Sequence, residues 1–221
     1  IMKMGSIMAL GGSLDEFITT LKREREPGTF NQYNSADTQV LGALLVSATG
    51  RSVTDYMQEK IWQPLGMESD GYWIVDDHGM EMTFAGLTVT ARDYAKIGEL
   101  YRNNGNWNGV QIVSSDWVKA SVTPDAPHLI PGDNPLSDFP LGYGYQWWVM
   151  DGEESEYSAI GVYNQFIYVN PTKDLVIVKL SANSSYGTDN NSEAANKELA
   201  TIEMFRAIGK NLNMSQKIAS H

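Results

Sequence analysis

The second half of the chain constrains the fold most. It holds strand-like runs from Tyr143 to Met150, Tyr157 to Val162, Gln165 to Val169 and Leu175 to Leu180, rich in aromatic and β-branched residues. The last two are joined by Pro171-Thr172-Lys173-Asp174, which reads as a hairpin loop. Connections this short serve antiparallel neighbours, so an antiparallel meander is expected. A final helix near Ser192 to Lys210 places Leu199, Ile202, Phe205 and Ile208 on one face.

Helices come first in the chain. Ser13-Leu14-Asp15-Glu16 is a capping box, and Leu14, Phe17, Ile18 and Leu21 follow at helical spacing until Pro27-Gly28. A second helix is expected from Ala36 to Thr49, with Val40, Leu41, Leu44 and Leu45 inward and Gly50 as its stop. A third starts at Ser52-Val53-Thr54-Asp55 and buries Val53, Met57 and Ile61 before Pro64. A fourth has Thr90 as N-cap with Asp93 three residues on, then Tyr94, Ile97, Leu100 and Tyr101. Helices, then a meander, then a covering helix give an α+β order. The Pro-, Gly- and Asp-rich stretch from Ala126 to Pro140 is the expected lobe boundary. It separates a mainly helical lobe, 1–125, from the strands and C-terminal helix of 126–221.

Composition excludes several classes. A net charge of −11 disfavours nucleic acid and anionic membrane surfaces as partners. Lys22-Arg23-Glu24-Arg25 carries its own acid and reads as a solvated helix end. Without cysteine there is no disulfide, thiolate nucleophile or Cys-type zinc site, and the compartment is not legible. No apolar run approaches the about 18 residues of a membrane span. His78, His128 and His221 stand far apart, in no metal-ligand spacing, and no cofactor is implied. The opening IMKMGSIMALGG is too short and too interrupted by glycine for a signal peptide, and the chain reads as lacking an N-terminal portion.

Tyr33-Asn34-Ser35 lies in a polar stretch just ahead of the second helix. Ser35 has the residue type and place of an N-cap. Taken alone, Tyr33 is a packed aromatic and Gly161 a strand glycine; Tyr145, Trp147 and Trp148 fit either a pocket or a core. In context, PGT followed by YNSADTQVLGALL and IWQPLGM resembles the PGT…YxN…LG…QPLGM run of serine hydrolases related to class C β-lactamases. TARDYAKIGELYRNNGNWNG, LGYGYQWWV and SAIGVYNQFIYVNPTKDLVIVKLSAN are similar to later blocks of the esterase and 6-aminohexanoate-dimer hydrolase branch, in consistent order.

The resemblance implies a β-lactamase/penicillin-binding-protein-like fold and an acyl-serine mechanism built on a Ser-x-x-Lys helix. By position Tyr33 matches the proton-exchanging tyrosine, and Ser35 the amide-holding asparagine. Ala159-Ile160-Gly161 matches the Lys-Thr-Gly segment, which makes the Val162 N–H the oxyanion donor. Two departures matter. Ser35 in place of asparagine shortens or loses a contact, and Ala159 in place of lysine removes the cation used for anionic β-lactams. Neutral esters or amides are therefore the expected substrates, ahead of β-lactams or D-Ala peptides. No cation can be named to depress the Tyr33 phenol, which points to a neutral relay.

No serine has a lysine three positions on. Thr19-Thr20-Leu21-Lys22 alone has that spacing, and Thr19 lies off the apolar face of its helix. The nucleophile is expected on a missing N-terminal segment of the same protein. A non-catalytic binding module of the same fold is the alternative.

Overall fold

The computed structural model describes residues 2–219, leaving Ile1, Ser220 and His221 outside. It divides into two compact units, Ile1–Asp93 and Tyr94–His221.

The first unit holds α1 (Met2–Ala9), α2 (Leu14–Thr19), α3 (Ser35–Thr49) and α4 (Val53–Met57). The helix of α4 continues through a π turn, Gln58–Trp62, into α5 (Gln63–Leu65), which passes Pro64 and ends at Gly66 with φ 60°. A two-stranded ribbon, β1 (Tyr72–Trp73) with β2 (Leu87–Thr88), completes it. Met4, Leu14 and Ala36 form its core, against Met8, Phe17, Met82 and Phe84. Ser13 caps α2, its Oγ accepting from the Glu16 N–H at 3.2 Å. The helix stops at Thr19, earlier than the apolar spacing implied. The Thr19 and Thr20 hydroxyls donate to the Glu16 and Phe17 carbonyls, and Leu21 is left exposed.

Helix α3 departs from the expected orientation. Its buried residues are Ser35, Ala36, Gln39 and Gly42, while Val40, Leu41 and Leu44 are 45%, 51% and 60% exposed. Polar pairing selects this face. The fully buried Gln39 donates Nε2–H to the Glu81 carbonyl at 3.0 Å and accepts from the Thr83 N–H at 3.0 Å. A Cβ on Gly42 would lie 2.4 Å from the Thr83 side chain, so glycine permits the close approach. The Gln39 side chain thus serves the Glu81 carbonyl and the Thr83 N–H, while the Met82 N–H donates to the Ile74 carbonyl, and the apolar stripe of α3 stays on the outside.

The second unit follows with α6 (Ala91–Arg102), a small hairpin β3 (Asn106–Trp107) and β4 (Val110–Gln111), and α7 (Ser115–Ser121). Its main sheet is antiparallel throughout, in the order β5 (Gly142–Tyr143), β6 (Trp148–Val149), β7 (Tyr157–Gly161), β8 (Gln165–Asn170), β9 (Leu175–Lys179). The run 143–150 is thus two short strands, not one. Gly144 packs so closely on the Ser121 carbonyl that a Cβ would lie 2.0 Å from it, Tyr145 N–H donates to the same carbonyl, and Gln146 turns back at φ 66°. Trp147 belongs to the core and Trp148 meets Phe139 and Tyr143 edge-to-face, whereas Tyr145 is exposed beside Trp117.

Alternation along β8 builds two cores. Phe166 and Tyr168 face Ile202 and Phe205, and Ile167 and Val169 face Tyr94, Ile97 and Tyr101 of α6. On Gly98 of α6 a Cβ would meet Val176 at 2.6 Å, so the helix lies directly on the sheet. This packing places most of α6 with the strands, and the division falls at Asp93, whereas the sequence marks the Pro/Gly-rich loop. The capping expected at Thr90 is present, its Oγ accepting from the Asp93 N–H at 3.2 Å. The C-terminal segment is α8 (Glu193–Asn196) and α9 (Glu198–Ala219), broken at Lys197 with φ 58°. Among the described residues no helix is long and apolar enough to cross a membrane.

Tyr157 illustrates how the core responds to pH. It is buried against Trp147 and Tyr101, and burial pushes its phenol above the usual value. The unfolded phenol ionises near pH 10, while the folded one still holds its proton. Stability is therefore full below about pH 10 and falls above it. Thermal melts between pH 8 and 11 are expected to show a steeper alkaline loss for the native chain than for Tyr157→Phe; equal slopes would remove Tyr157 as a contributor.

Candidate active site

The residues singled out by the sequence fall into two groups, one in each compact unit. In the first unit Tyr33 and Ser35 flank the start of α3. The N-cap is Asn34, not Ser35: Asn34 Oδ1 accepts from the Ala36 N–H at 3.0 Å, and its Nδ2 donates to Asp37 at 3.1 Å. With Asn34 in the cap, Ser35 is the first helical residue, and it is buried. The cap fixes the backbone entering the helix, and with it the position of Tyr33. Tyr33 is 44% exposed, and partial burial raises its phenol above the ordinary value. At neutral pH it carries its proton. Thr19, the one hydroxyl with a lysine three positions on, is exposed and donates to the Glu16 carbonyl at 2.7 Å. That is the behaviour of a helix-surface threonine.

In the second unit Ala159, Gly161 and Val162 lie at the end of β7. The hydrogen-bond pattern there fixes which way each peptide faces. Met150 N–H donates to the Glu156 carbonyl at 3.0 Å, so even-numbered β7 residues turn their backbone groups toward β6 and odd-numbered ones toward β8. The β6 ladder stops at Trp148 opposite Ser158, while β8 continues to Gln165 opposite Gly161. Beyond Ser158 the edge of β7 is therefore uncovered by β6, and it presents the Ile160 backbone. Gly161 turns its carbonyl to β8, and the trans peptide then aims the Val162 N–H at the same uncovered edge.

The turn that follows holds residues that sequence motifs had not picked out. Tyr163 and Asn164 take left-handed conformations, φ 62° and 68°. Asn183 N–H donates to the Tyr163 carbonyl, Asn183 Nδ2 to Asn164 Oδ1 at 2.8 Å, and Lys179 Nζ to the Asn164 carbonyl at 3.2 Å. Burial lowers the Lys179 ammonium from its usual value. Asn164 was the available signal, since asparagine tolerates the left-handed region and marks tight turns. Among the described residues no group of three His, Asp or Glu side chains is placed to hold a metal ion, and His221 is outside them.

Residues 4–202 match the family described as Beta-lactamase. The chain belongs to that family. Both the head of α3 and the end of β7 lie within the matched residues. The chain is 33% identical over 168 residues to the 6-aminohexanoate-dimer hydrolase of Paenarthrobacter ureafaciens, covering 76% of this chain and 43% of that protein. A solved Bacillus anthracis structure, provisionally named a 6-aminohexanoate-dimer hydrolase, superposes with a TM-score of 0.79 at 28% identity, covering 91% of this chain and 49% of that one. The octameric penicillin-binding protein homologue of Pyrococcus abyssi shares the fold, with a TM-score of 0.60 at 21% identity over 87% of this chain and 50% of that one. The chain thus spans about half the length of these relatives or less. The family and its neighbours give the α+β, β-lactamase/penicillin-binding-protein-like fold expected from the sequence.

Proposed function

We propose that the chain is part of a serine hydrolase that cleaves a neutral carboxylic ester or amide through an acyl-serine intermediate, with the serine and its lysine on polypeptide outside these 221 residues. The observation that carries this reading is the uncovered edge of β7, with an uncharged Ala159 on the strand and the Val162 N–H aimed outward at its end. The naming of two relatives as 6-aminohexanoate-dimer hydrolases supports it. In the reaction the serine Oγ attacks the acyl carbon and the Val162 N–H donates to the carbonyl oxygen as it gains charge. Tyr33 takes the serine proton while its own passes to the departing alcohol or amine. Water then hydrolyses the acyl-serine ester and releases the acid. Ser35 and the Ala159–Gly161 edge hold the substrate.

Two surfaces suit the polypeptide that brings the serine. One is the exposed apolar stripe of α3, Val40, Leu41 and Leu44. The other is the outer edge of β9, which pairs with β8 alone among the described residues and offers apolar, β-branched side chains. The test is a fluorophosphonate probe together with p-nitrophenyl ester hydrolysis, both on the complete polypeptide. Covalent labelling of one serine and ester turnover are expected, with nitrocefin turned over poorly. A complete protein that takes no label and hydrolyses no ester is the binding module instead.

A further inference from the structure

We propose that Gln165 is a positioning residue that sets the direction of the Val162 N–H; this rests on the oxyanion role proposed for that group. The turn has a problem that its own residues do not solve. Two consecutive non-glycine residues, one of them a bulky tyrosine, sit in the left-handed region, at about 1–2 kcal/mol each. Such a turn keeps one geometry only when its surroundings hold it.

Gln165 holds both peptides that flank Val162. Its backbone pairs with Gly161 in the β7–β8 ladder, on the N-terminal side of Val162. Its Nε2 donates to the Val162 carbonyl at 3.1 Å, more distantly to the Tyr163 carbonyl at 3.4 Å, and to the Ser181 carbonyl, while its Oε1 accepts from the Ser181 N–H at 3.0 Å. One side-chain amide thus ties the turn to the chain leaving β9. With the peptides on either side fixed, the rotation of the Val162 N–H is fixed as well.

The same contact explains Gly161. A Cβ there would meet Gln165 Cβ at 3.2 Å and Cγ at 3.4 Å, tighter than ordinary contact. Glycine leaves the space in which the Gln165 stem lies flat and brings its amide over the turn. Gly161, read from the sequence as a motif glycine, is therefore half of a pair with Gln165.

The experiment compares Gln165→Met and Gln165→Glu with the native side chain in the complete polypeptide. Methionine keeps the stem and removes the amide. Glutamate keeps the acceptor for Ser181 N–H, loses both donor hydrogens and sets a carboxylate against three carbonyls, those of Val162, Tyr163 and Ser181. Each is expected to lower kcat for a p-nitrophenyl ester about 10-fold or more, with KM within about 2-fold. Inhibition by an arylboronic acid, whose tetrahedral adduct loads the oxyanion position, weakens by a similar factor. A variant that only loosens the fold would instead lower the active fraction, leaving kcat per labelled serine and boronate affinity intact. That outcome in whichever variant folds overturns the proposal. If the native protein neither takes a fluorophosphonate nor turns over ester, the hydrolase reading itself has failed; native activity with unaffected variants sinks the Gln165 role alone.

Discussion

Replacing Tyr33 by phenylalanine is expected to lower the acylation rate of the complete protein by about 100-fold or more. Phenylalanine keeps the ring and its packing and removes the phenol alone, so the loss reads proton transfer. The direction of the Tyr33 shift adds a second expectation. A standing phenolate at pH 7 would need its pKa depressed by about three units, about 4 kcal/mol of local stabilisation. Partial burial moves this phenol the other way. Tyr33 should therefore act in its protonated form, passing one proton on as it accepts another. In the pH dependence of kcat/KM no limb below about pH 9 belongs to Tyr33, and Tyr33→Phe lowers the whole profile without moving its inflections. An unchanged acylation rate would return Tyr33 to being a packed aromatic at a helix entrance.

The strands were the most legible part of the sequence. The runs beginning at Tyr157, Gln165 and Leu175 coincide with β7, β8 and β9 to within a residue, because alternation, β-branching and a Pro-led turn all agree there. The run 143–150 misleads because its residue types favour a strand while Gly144 is needed against the Ser121 carbonyl, and the chain reverses at Gln146. Helix α3 misleads for a different reason. Periodicity locates its apolar stripe, but a fully satisfied Gln39 and a small Gly42 can bury the opposite face just as well. Sequence spacing has no term for a glutamine amide that pairs with backbone more than forty residues away.

The candidate site divides along the same line. Tyr33, Ser35, Ala159, Gly161 and Val162 were found by resemblance of residue order, which reports position and not contact. Asn34 took the capping role because its side-chain carbonyl accepts from the Ala36 N–H, a contact that residue order does not report. Gln165 carried no signal, since a glutamine at the start of a strand is unremarkable until its partners at Val162 and Ser181 are in view.

Stability of β7, the strand that leads into Val162, is expected to depend on an ion pair at its opposite end. Glu156, immediately before β7, is almost fully buried. It accepts from Arg206 Nε at 2.7 Å, from the Tyr168 hydroxyl at 2.8 Å and from Asn170 Nδ2 at 3.2 Å. Arg206, on α9, also donates to the Asp151 carbonyl and pairs with Glu203. One guanidinium therefore ties the C-terminal helix to the β6–β7 connection. Arg206→Ala leaves the Glu156 carboxylate buried with two neutral donors. Removal of one partner of a buried pair costs about 3–5 kcal/mol, and the partial exposure of Arg206 sets the lower end, about 3 kcal/mol. Urea unfolding should show a lower midpoint with an unchanged m-value. Arg206→Lys should recover only part of the loss, because an ammonium cannot span Glu156, Glu203 and the Asp151 carbonyl in one planar fork. Arg206→Met combined with Glu156→Gln should recover more, since it removes the stranded charge rather than replacing its partner. If Arg206→Ala unfolds at the native midpoint, Glu156 is satisfied without its cation, and α9 is held to the sheet by the apolar cluster of Phe166, Tyr168, Ile202 and Phe205.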